Sequence, residues 1–114
     1  MISNFLIINC IGKDDKLGLR INKDFFIHSI RNKKKGNELL VSEISSFLSS
    51  HKVKLSKNFS IIINQGPGSF SGIRTSLAVA KGLEISTNVK LYGYRDVDLK
   101  EFDRENIEKL LNQN

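Results

Sequence analysis

The sequence has few cysteines and prolines and no long apolar run, so it lacks the features that would indicate a disulfide-rich, membrane or multi-domain protein. Its single cysteine, Cys10, excludes an internal disulfide and is typical of a reducing compartment. No apolar run approaches the roughly 20 residues that a membrane helix needs, and no basic leader precedes the short apolar stretch at the amino terminus. The single proline, Pro67, and the lack of repeats and low-complexity linkers predict one domain over the 114 residues. We therefore expect a cytoplasmic, single-domain protein.

Acidic residues are also in deficit. The chain has twelve Asp and Glu residues and eighteen Lys and Arg residues, which gives a net charge of +6. Such a balance permits contact with nucleic acid, although the abundance of lysine, asparagine and isoleucine also fits AT-rich codon usage. A basic turn supplies the candidate nucleic-acid contacts Lys33, Lys34 and Lys35, with Lys52, Lys54 and Lys57 expected near it. Because no aromatic residue is interleaved with these lysines, base stacking finds no support, and a solvated face is the alternative.

Side chains that could perform catalysis or hold a metal are sparse and scattered. His28 and His51 fall on different predicted elements without the spacing of a metal site. The pairs Asp14–Asp15 and Asp96–Asp98 are typical of turns rather than of paired catalytic carboxylates. We predict no catalytic set, no metal site and no cofactor.

The pattern of apolar residues predicts the element order β-β-β-α-β-α-β-α. Three strands joined by short turns form an antiparallel meander, of which the first is buried on both faces and the second is half-buried through Leu17, Leu19 and Ile21. A helix capped at Asn37 follows and ends near His51, with its apolar stripe on Leu40, Ile44, Phe47 and Leu48. The remaining predicted elements are a buried strand over 59–64, a helix from Ile73, a strand over 89–94 and a terminal helix capped by Asp103.

The second helix is predicted to carry Ile73, Leu77 and Ala80 on one face, with Lys81 or Glu84 continuing that face. A meander followed by alternating helices and strands indicates a mixed sheet with helices packed on it. By analogy, this is the order of a ribonuclease-H-like lobe, the half-unit of the actin-like ATPase fold. Fold alone does not give function.

A loop with three glycines, Gly66–Gly72, joins the fourth strand to the second helix. Its spacing excludes a Walker loop, which needs a Gly-Lys pair, and a dinucleotide fingerprint, which is one residue shorter. A nucleophile elbow would need serine where Phe70 stands. The loop is either a plain strand-to-helix turn or an anion site built from backbone N–H groups at the helix start.

The residues of this loop and the start of the helix resemble the signature of the TsaB (YeaZ) family. The resemblance lies in Gly66, Pro67, Gly68, Ser69, Phe70, Ser71, Gly72 and Arg74, and it continues into the helix as L-A-V-A-K-G-L. It covers residues 1–95, the family's amino-terminal lobe, and leaves 96–114 as a divergent tail with a terminal helix. The second lobe of the family is expected to be absent.

The resemblance implies a non-catalytic partner of the TsaD subunit, which transfers threonylcarbamoyl to adenosine 37 of tRNA. It further implies assembly with a TsaE-type ATPase. In that family the first two helices of each lobe meet, which makes Leu40, Ile44, Leu77, Ala80 and Lys81 the candidate interface. The small residues of the second helix, Ser76, Ala80 and Gly82, could pack there or against this chain's own sheet.

One departure from the family's pattern follows the first strand. Many members place an Asp-Thr pair there, whereas this chain has Asn9 and Cys10 and so lacks the carboxylate for a metal. This agrees with the expectation that the chain is not an enzyme. The alternatives are a small anion- or nucleotide-binding domain and a basic tRNA-binding domain. We also expect the isolated chain to form a homodimer, because a lone lobe exposes apolar surface.

Overall fold

A computed structural model describes residues 3–11, 14–30 and 37–112 of the chain. The candidate tRNA contacts Lys33, Lys34 and Lys35 lie outside these residues. The strands are β1 (Phe5–Asn9), β2 (Asp15–Ile21), β3 (Asp24–Ile30), β4 (Ser60–Asn64) and β5 (Lys90–Tyr94). The helices are α1 (Asn37–Ser50), α2 (Phe70–Thr87) and α3 (Arg104–Leu111), and a short 3-10 turn at Asp96–Asp98 precedes α3. The predicted order of helices and strands is confirmed.

The five strands form one mixed sheet in the order β3-β2-β1-β4-β5. The predicted meander is confirmed, because β2 pairs antiparallel with both β1 and β3. β4 runs parallel to β1, with Leu6 opposite Ile61, and β5 runs parallel to β4. The carboxyl ends of β1, β4 and β5 therefore meet at one edge of the sheet, where the glycine loop follows β4.

The turn between β2 and β3 contains only Asn22 and Lys23, because Ile21 pairs directly with Asp24. Both turn residues have positive φ, 51° and 76°. A two-residue hairpin with positive φ at both positions has the type I′ geometry, whose twist matches that of the flanking strands. This turn lies at the end of the sheet where β1, β4 and β5 begin.

Helices α1 and α2 cover one face of the sheet. The core on this side combines Leu6 and Ile8 of β1 with Ile61 and Ile63 of β4, and α1 contributes its whole predicted apolar stripe: Leu40, Ile44, Phe47 and Leu48. A continuous apolar run in β1 and β4 is what a strand buried on both faces requires. That prediction is confirmed for β1, whose residues Phe5 to Ile8 are all buried.

Helix α3 covers the opposite face. Ile107 packs there with Phe5, Ile7, Ile62 and Tyr94. This layer makes the prediction of a half-buried β2 wrong at the strand's centre, where Leu17, Gly18 and Leu19 are all buried. Gly18 is covered because Ile7 and the ring of Phe102 lie against its Cα, so the strand has no solvent-facing side there.

The second helix differs from its prediction in start and in rotation. It begins at Phe70, three residues before the predicted Ile73, since Ser69 already provides the cap. Its buried residues are Ser76, Val79 and Ala80, whereas Leu77, which was predicted on the same face as Ala80, is exposed. The small side chains face inward and bring the helix close to α1 and the sheet. None of the helices in the described part of the chain has the length and hydropathy needed to span a bilayer.

Candidate functional site

The glycine loop is anchored to the carboxyl edge of the sheet by backbone hydrogen bonds. Gln65 N donates to Tyr94 O at 2.8 Å, and Asp96 N donates to Gly66 O at 2.9 Å. On the other side, Ser69 N donates to Ile11 O at 3.3 Å. The loop is therefore fastened to the ends of both neighbouring strands of β4.

Two glycines of the signature are required by geometry. Gly66 has φ +90°, and a Cβ there would lie 2.7 Å from Ile73 Cδ1. A Cβ on Gly72 would overlap the carbonyl oxygen of Cys10. Left-handed backbone and close backbone approach are the two conditions that favour glycine. These positions thus fix the distance between the start of α2 and the end of β1.

One of the first amide groups of α2 is capped within the chain. Gly72 N donates to Ser69 Oγ at 3.3 Å, and Ile73 N donates to Ser69 O at 3.0 Å. Ser76 Oγ donates back to Gly72 O at 2.8 Å. An anion at a helix start needs free N–H groups. The cap on Gly72 N takes one of these groups, and the anion site stays a prediction.

A polar cluster joins the carboxyl ends of three strands behind the loop. Asn64, at the end of β4, donates from Nδ2 to Asn9 Oδ1 at 3.2 Å and to Asp96 Oδ1 at 3.1 Å. Its Oδ1 accepts from Gly66 N at 2.8 Å. A side-chain amide has two donors and one acceptor oxygen, and here all of them are engaged. The cluster therefore fixes the loop through the Asn64 side chain.

Tyr94 closes this cluster from β5. Its hydroxyl is buried and meets no partner at hydrogen-bond distance and angle among the described residues. Burial raises the pKa of the Tyr94 phenol well above its usual range, and the nearby Asn64 amide opposes part of that shift. A phenol held neutral in this way is not a base at physiological pH. The sequence pattern did not single out Asn64 and Tyr94. The feature that could have indicated them is a polar residue at the end of a buried strand.

A cavity of about 200 Å³ lies between the loop and α1. The described part of its lining includes the Asp15 carboxylate, the Cys10 thiol, Thr75 and the apolar side chains of Leu39 and Leu40. Sites for drug-sized ligands have volumes of roughly 300 to 1,000 Å³. The volume disfavours a nucleotide here.

The two histidines lie together on the α1 side of the sheet. His28 Nε2 lies 2.8 Å from Glu43 Oε2, and its ring packs on Phe47 at 5.5 Å between centroids. His51 stacks on Phe26 at 3.9 Å. Within the residues that the structure describes, no group of three His, Cys, Asp or Glu has the placement of a metal site. The histidines pack α1 on β3.

The candidate interface residues fall into two groups. Leu40, Ile44 and Ala80 are buried in the chain's own core, so a partner cannot reach them. Leu77 and Lys81 are exposed on α2. Ser76 and Ala80 pack inward, which agrees with the alternative that the small residues pack within the chain itself. Gly82 has open space around it.

Helix α2 presents an apolar and basic stripe to solvent, which we call the α2 stripe. Phe70, Leu77 and Ile85 are 73%, 43% and 81% exposed. Arg74 and Lys81 lie between them, because residues spaced by three or four share one helix face. The Arg74 guanidinium packs over the Phe70 ring, 5.6 Å from its centroid. Val41 of α1, which lies on the same side of the sheet as α2, is 45% exposed.

Comparison with known proteins gives a family match and similarity to two solved structures. The model of the family described as "TsaD: tRNA N6-adenosine threonylcarbamoyltransferase" matches residues 31–98, more than half of the chain. The fold is similar to that of YeaZ from Pseudomonas aeruginosa, with a TM-score of 0.75 and 21% identity over 84% of this chain. A second structure, of an uncharacterised P. aeruginosa protein with similarity to peptidase YeaZ, has the same TM-score and identity.

The chain spans 45% and 44% of the lengths of these two solved proteins. No curated protein matches it. The structural likeness confirms the mixed sheet with helices of the actin-like, ribonuclease-H-like class, and the matched family is related to the one that the signature loop resembles.

Proposed function

The chain belongs to the TsaD family, and we propose from that premise that it serves threonylcarbamoyl transfer to adenosine 37 of tRNA as a partner subunit and not as the catalyst. The occupant of its docking surface is a TsaD-type catalytic subunit. The observation that carries the proposal is the α2 stripe. Recruitment of a TsaE-type ATPase and a homodimer of the isolated chain remain predictions.

The α2 stripe has the composition of a protein–protein contact. Single exposed apolar side chains are common on monomers, but three on one helix face with two cations between them form a patch. Phe70 and Arg74 are pre-packed on each other, so less side-chain freedom is lost on binding. Lys81 is paired with Glu84 of the same helix at 3.4 Å, so it is Arg74 that favours a partner presenting carboxylates.

The polar cluster supports the absence of chemistry in this chain. Where many relatives of TsaB type carry Asp-Thr after the first strand, this chain has Asn9, and its side-chain oxygen is bonded to the Asn64 amide. Asp96 is bonded to the same amide. General acid–base catalysis needs a titratable group within reach of a substrate. The bonds that Asn9 and Asp96 make to Asn64 serve to hold the loop in place.

The test is co-expression with the TsaD-type subunit of the same organism, followed by size-exclusion chromatography. Leu77→Glu places a carboxylate in the centre of the α2 stripe, where the chain's own core is not disturbed. Val97→Glu makes the same kind of change at a residue 67% exposed in the 3-10 turn, and serves as the matched control. We expect wild type and Val97→Glu to co-elute with the partner, and Leu77→Glu to lose at least about ten-fold in affinity.

Separate elution of folded wild type and partner would refute the partner role. Co-elution of Leu77→Glu as complete as that of Val97→Glu would refute the α2 stripe as the surface. Chromatography of each variant alone, over a concentration series, tests the predicted homodimer in the same experiment.

A further inference from the structure

A polar groove lies at the end of the sheet opposite the glycine loop, where β1 and β4 begin. We call it the amino-end groove. Its volume is about 440 Å³, and its lining includes Asn4, Asn22, His51, Lys52, Lys54 and Asn58. The groove is therefore bordered by the β2–β3 turn, by the end of α1 and by the connection that leads into β4.

The groove is basic. Lys52 and Lys54 line it and are exposed, and Lys23 and Lys57 are exposed beside lining residues. None of these four lysines forms an ion pair with a residue that the structure describes. One carboxylate, Asp24, follows the turn. Unneutralised charge in a concave surface focuses the field and attracts anions.

The groove walls are held by internal contacts. Asn22 N donates to Asn4 Oδ1 at 3.2 Å, which joins the turn to the chain before β1. Val53 N donates to Leu48 O at 2.9 Å, and Lys52 closes α1 with φ +57°. His51 is fixed by its stack on Phe26. A surface formed in advance binds with a smaller entropy cost.

We propose that the amino-end groove binds the phosphate backbone of RNA, with tRNA as its ligand; this assignment of tRNA rests on the proposed function. Lysine ammonium groups, asparagine amides and the Ser56 hydroxyl are donors that suit phosphate oxygens. The concave shape fits a strand backbone, whereas a membrane surface is bound by an exposed amphipathic helix face. Binding is independent of base sequence, because the contacts are to phosphates.

The test is a fluorescence anisotropy titration of an unmodified tRNA transcript with the full chain, repeated over a series of salt concentrations. Lys52→Gln/Lys54→Gln removes two charges from the groove. Lys100→Gln/Lys109→Gln removes two exposed charges elsewhere and is the matched control. The groove variant should lose roughly ten-fold or more in affinity near 0.1 M salt, and its salt slope should fall by about two. The control should retain the wild-type slope.

Three results would overturn the inference: no tRNA binding by wild type, equal loss in both double variants, or binding to phosphatidylserine vesicles without binding to tRNA. The groove variant is also tested for co-elution with the TsaD-type subunit. If the wild-type chain co-elutes with the TsaD-type subunit but does not bind tRNA, only the groove proposal is contradicted. If it binds tRNA but does not co-elute, only the partner role is contradicted.

Discussion

At the scale of single residues, Asn64 connects the sheet to the loop. Its side-chain amide forms hydrogen bonds with Asn9 at the end of β1, with Asp96 after β5 and with the backbone of Gly66. Buried polar groups of this kind stabilise a fold only when every donor and acceptor is matched. Asn64 is 1% exposed, so its three bonds are made away from water and fix the loop that starts α2.

Tyr94, beside Asn64, makes stability depend on alkaline pH. Burial raises the pKa of its phenol above the ordinary value of 10.0, so the folded chain keeps the proton that the unfolded chain loses. The stabilisation is complete below pH 10 and declines as the pH rises further. We expect the free energy of unfolding of wild type to fall by about 1.4 kcal/mol more than that of Tyr94→Phe between pH 9 and pH 11. Urea unfolding at each pH measures it.

Tyr92→Phe is the control, since it removes an exposed phenol from the same strand. It should keep the wild-type pH dependence. At pH 7, Tyr94→Phe should change stability by less than about 1 kcal/mol or increase it, because the lost hydroxyl has no hydrogen-bond partner among the described residues. Identical pH profiles for wild type and Tyr94→Phe would contradict the effect of burial.

The sequence allowed some of these residue roles to be predicted. The signature glycines were identified, and the structure gives Gly66 and Gly72 steric reasons. Asn64 and Tyr94 were not identified, because each belongs to an apolar strand pattern and becomes significant only when parallel strands bring their ends together. Such a juxtaposition depends on strand order, which local patterns do not contain.

At the scale of elements, the start of α2 depends on its cap. Ser69 Oγ accepts from Gly72 N at 3.3 Å and so satisfies one of the first free N–H groups of the helix. Ser69→Ala should lower the free energy of unfolding by about 1 kcal/mol. Ser71→Ala removes a hydroxyl within the first turn and should have a smaller effect. Thermal unfolding compares the two, and an equal loss in both variants would contradict the role of Ser69 as the cap.

The elements were predicted best where the apolar pattern was strong. All four apolar residues of α1 and the run of β1 are in the core. The start and rotation of α2 were wrong, because Gly72 was assigned to the loop although it lies in the first turn. Close packing against α1 favoured the small residues Ser76 and Ala80 over Leu77, and hydrophobic periodicity ranks those residues in the opposite order.

At the scale of the whole molecule, the two faces of the sheet are covered unequally. Two helices of 14 and 18 residues pack on one face, and α3, with 8 residues, is the helix on the other. The apolar cluster under α3 is correspondingly small. Because Phe102 and α3 complete this layer, the chain after β5 contributes to the stability of the entire sheet.

Ile107 is the residue through which α3 holds this second layer, since it is fully buried and contacts the underside of β1 and β4. Ile107→Ala should cost about 2 to 5 kcal/mol, a large part of the roughly 5 to 15 kcal/mol that stabilises a domain. Val97→Ala, at an exposed site just before α3, should stay within about 0.5 kcal/mol of wild type. Urea unfolding followed by circular dichroism measures both changes. Should Ile107→Ala prove as mild as Val97→Ala, α3 would be an appendage, and the sheet would owe its stability to α1 and α2 alone.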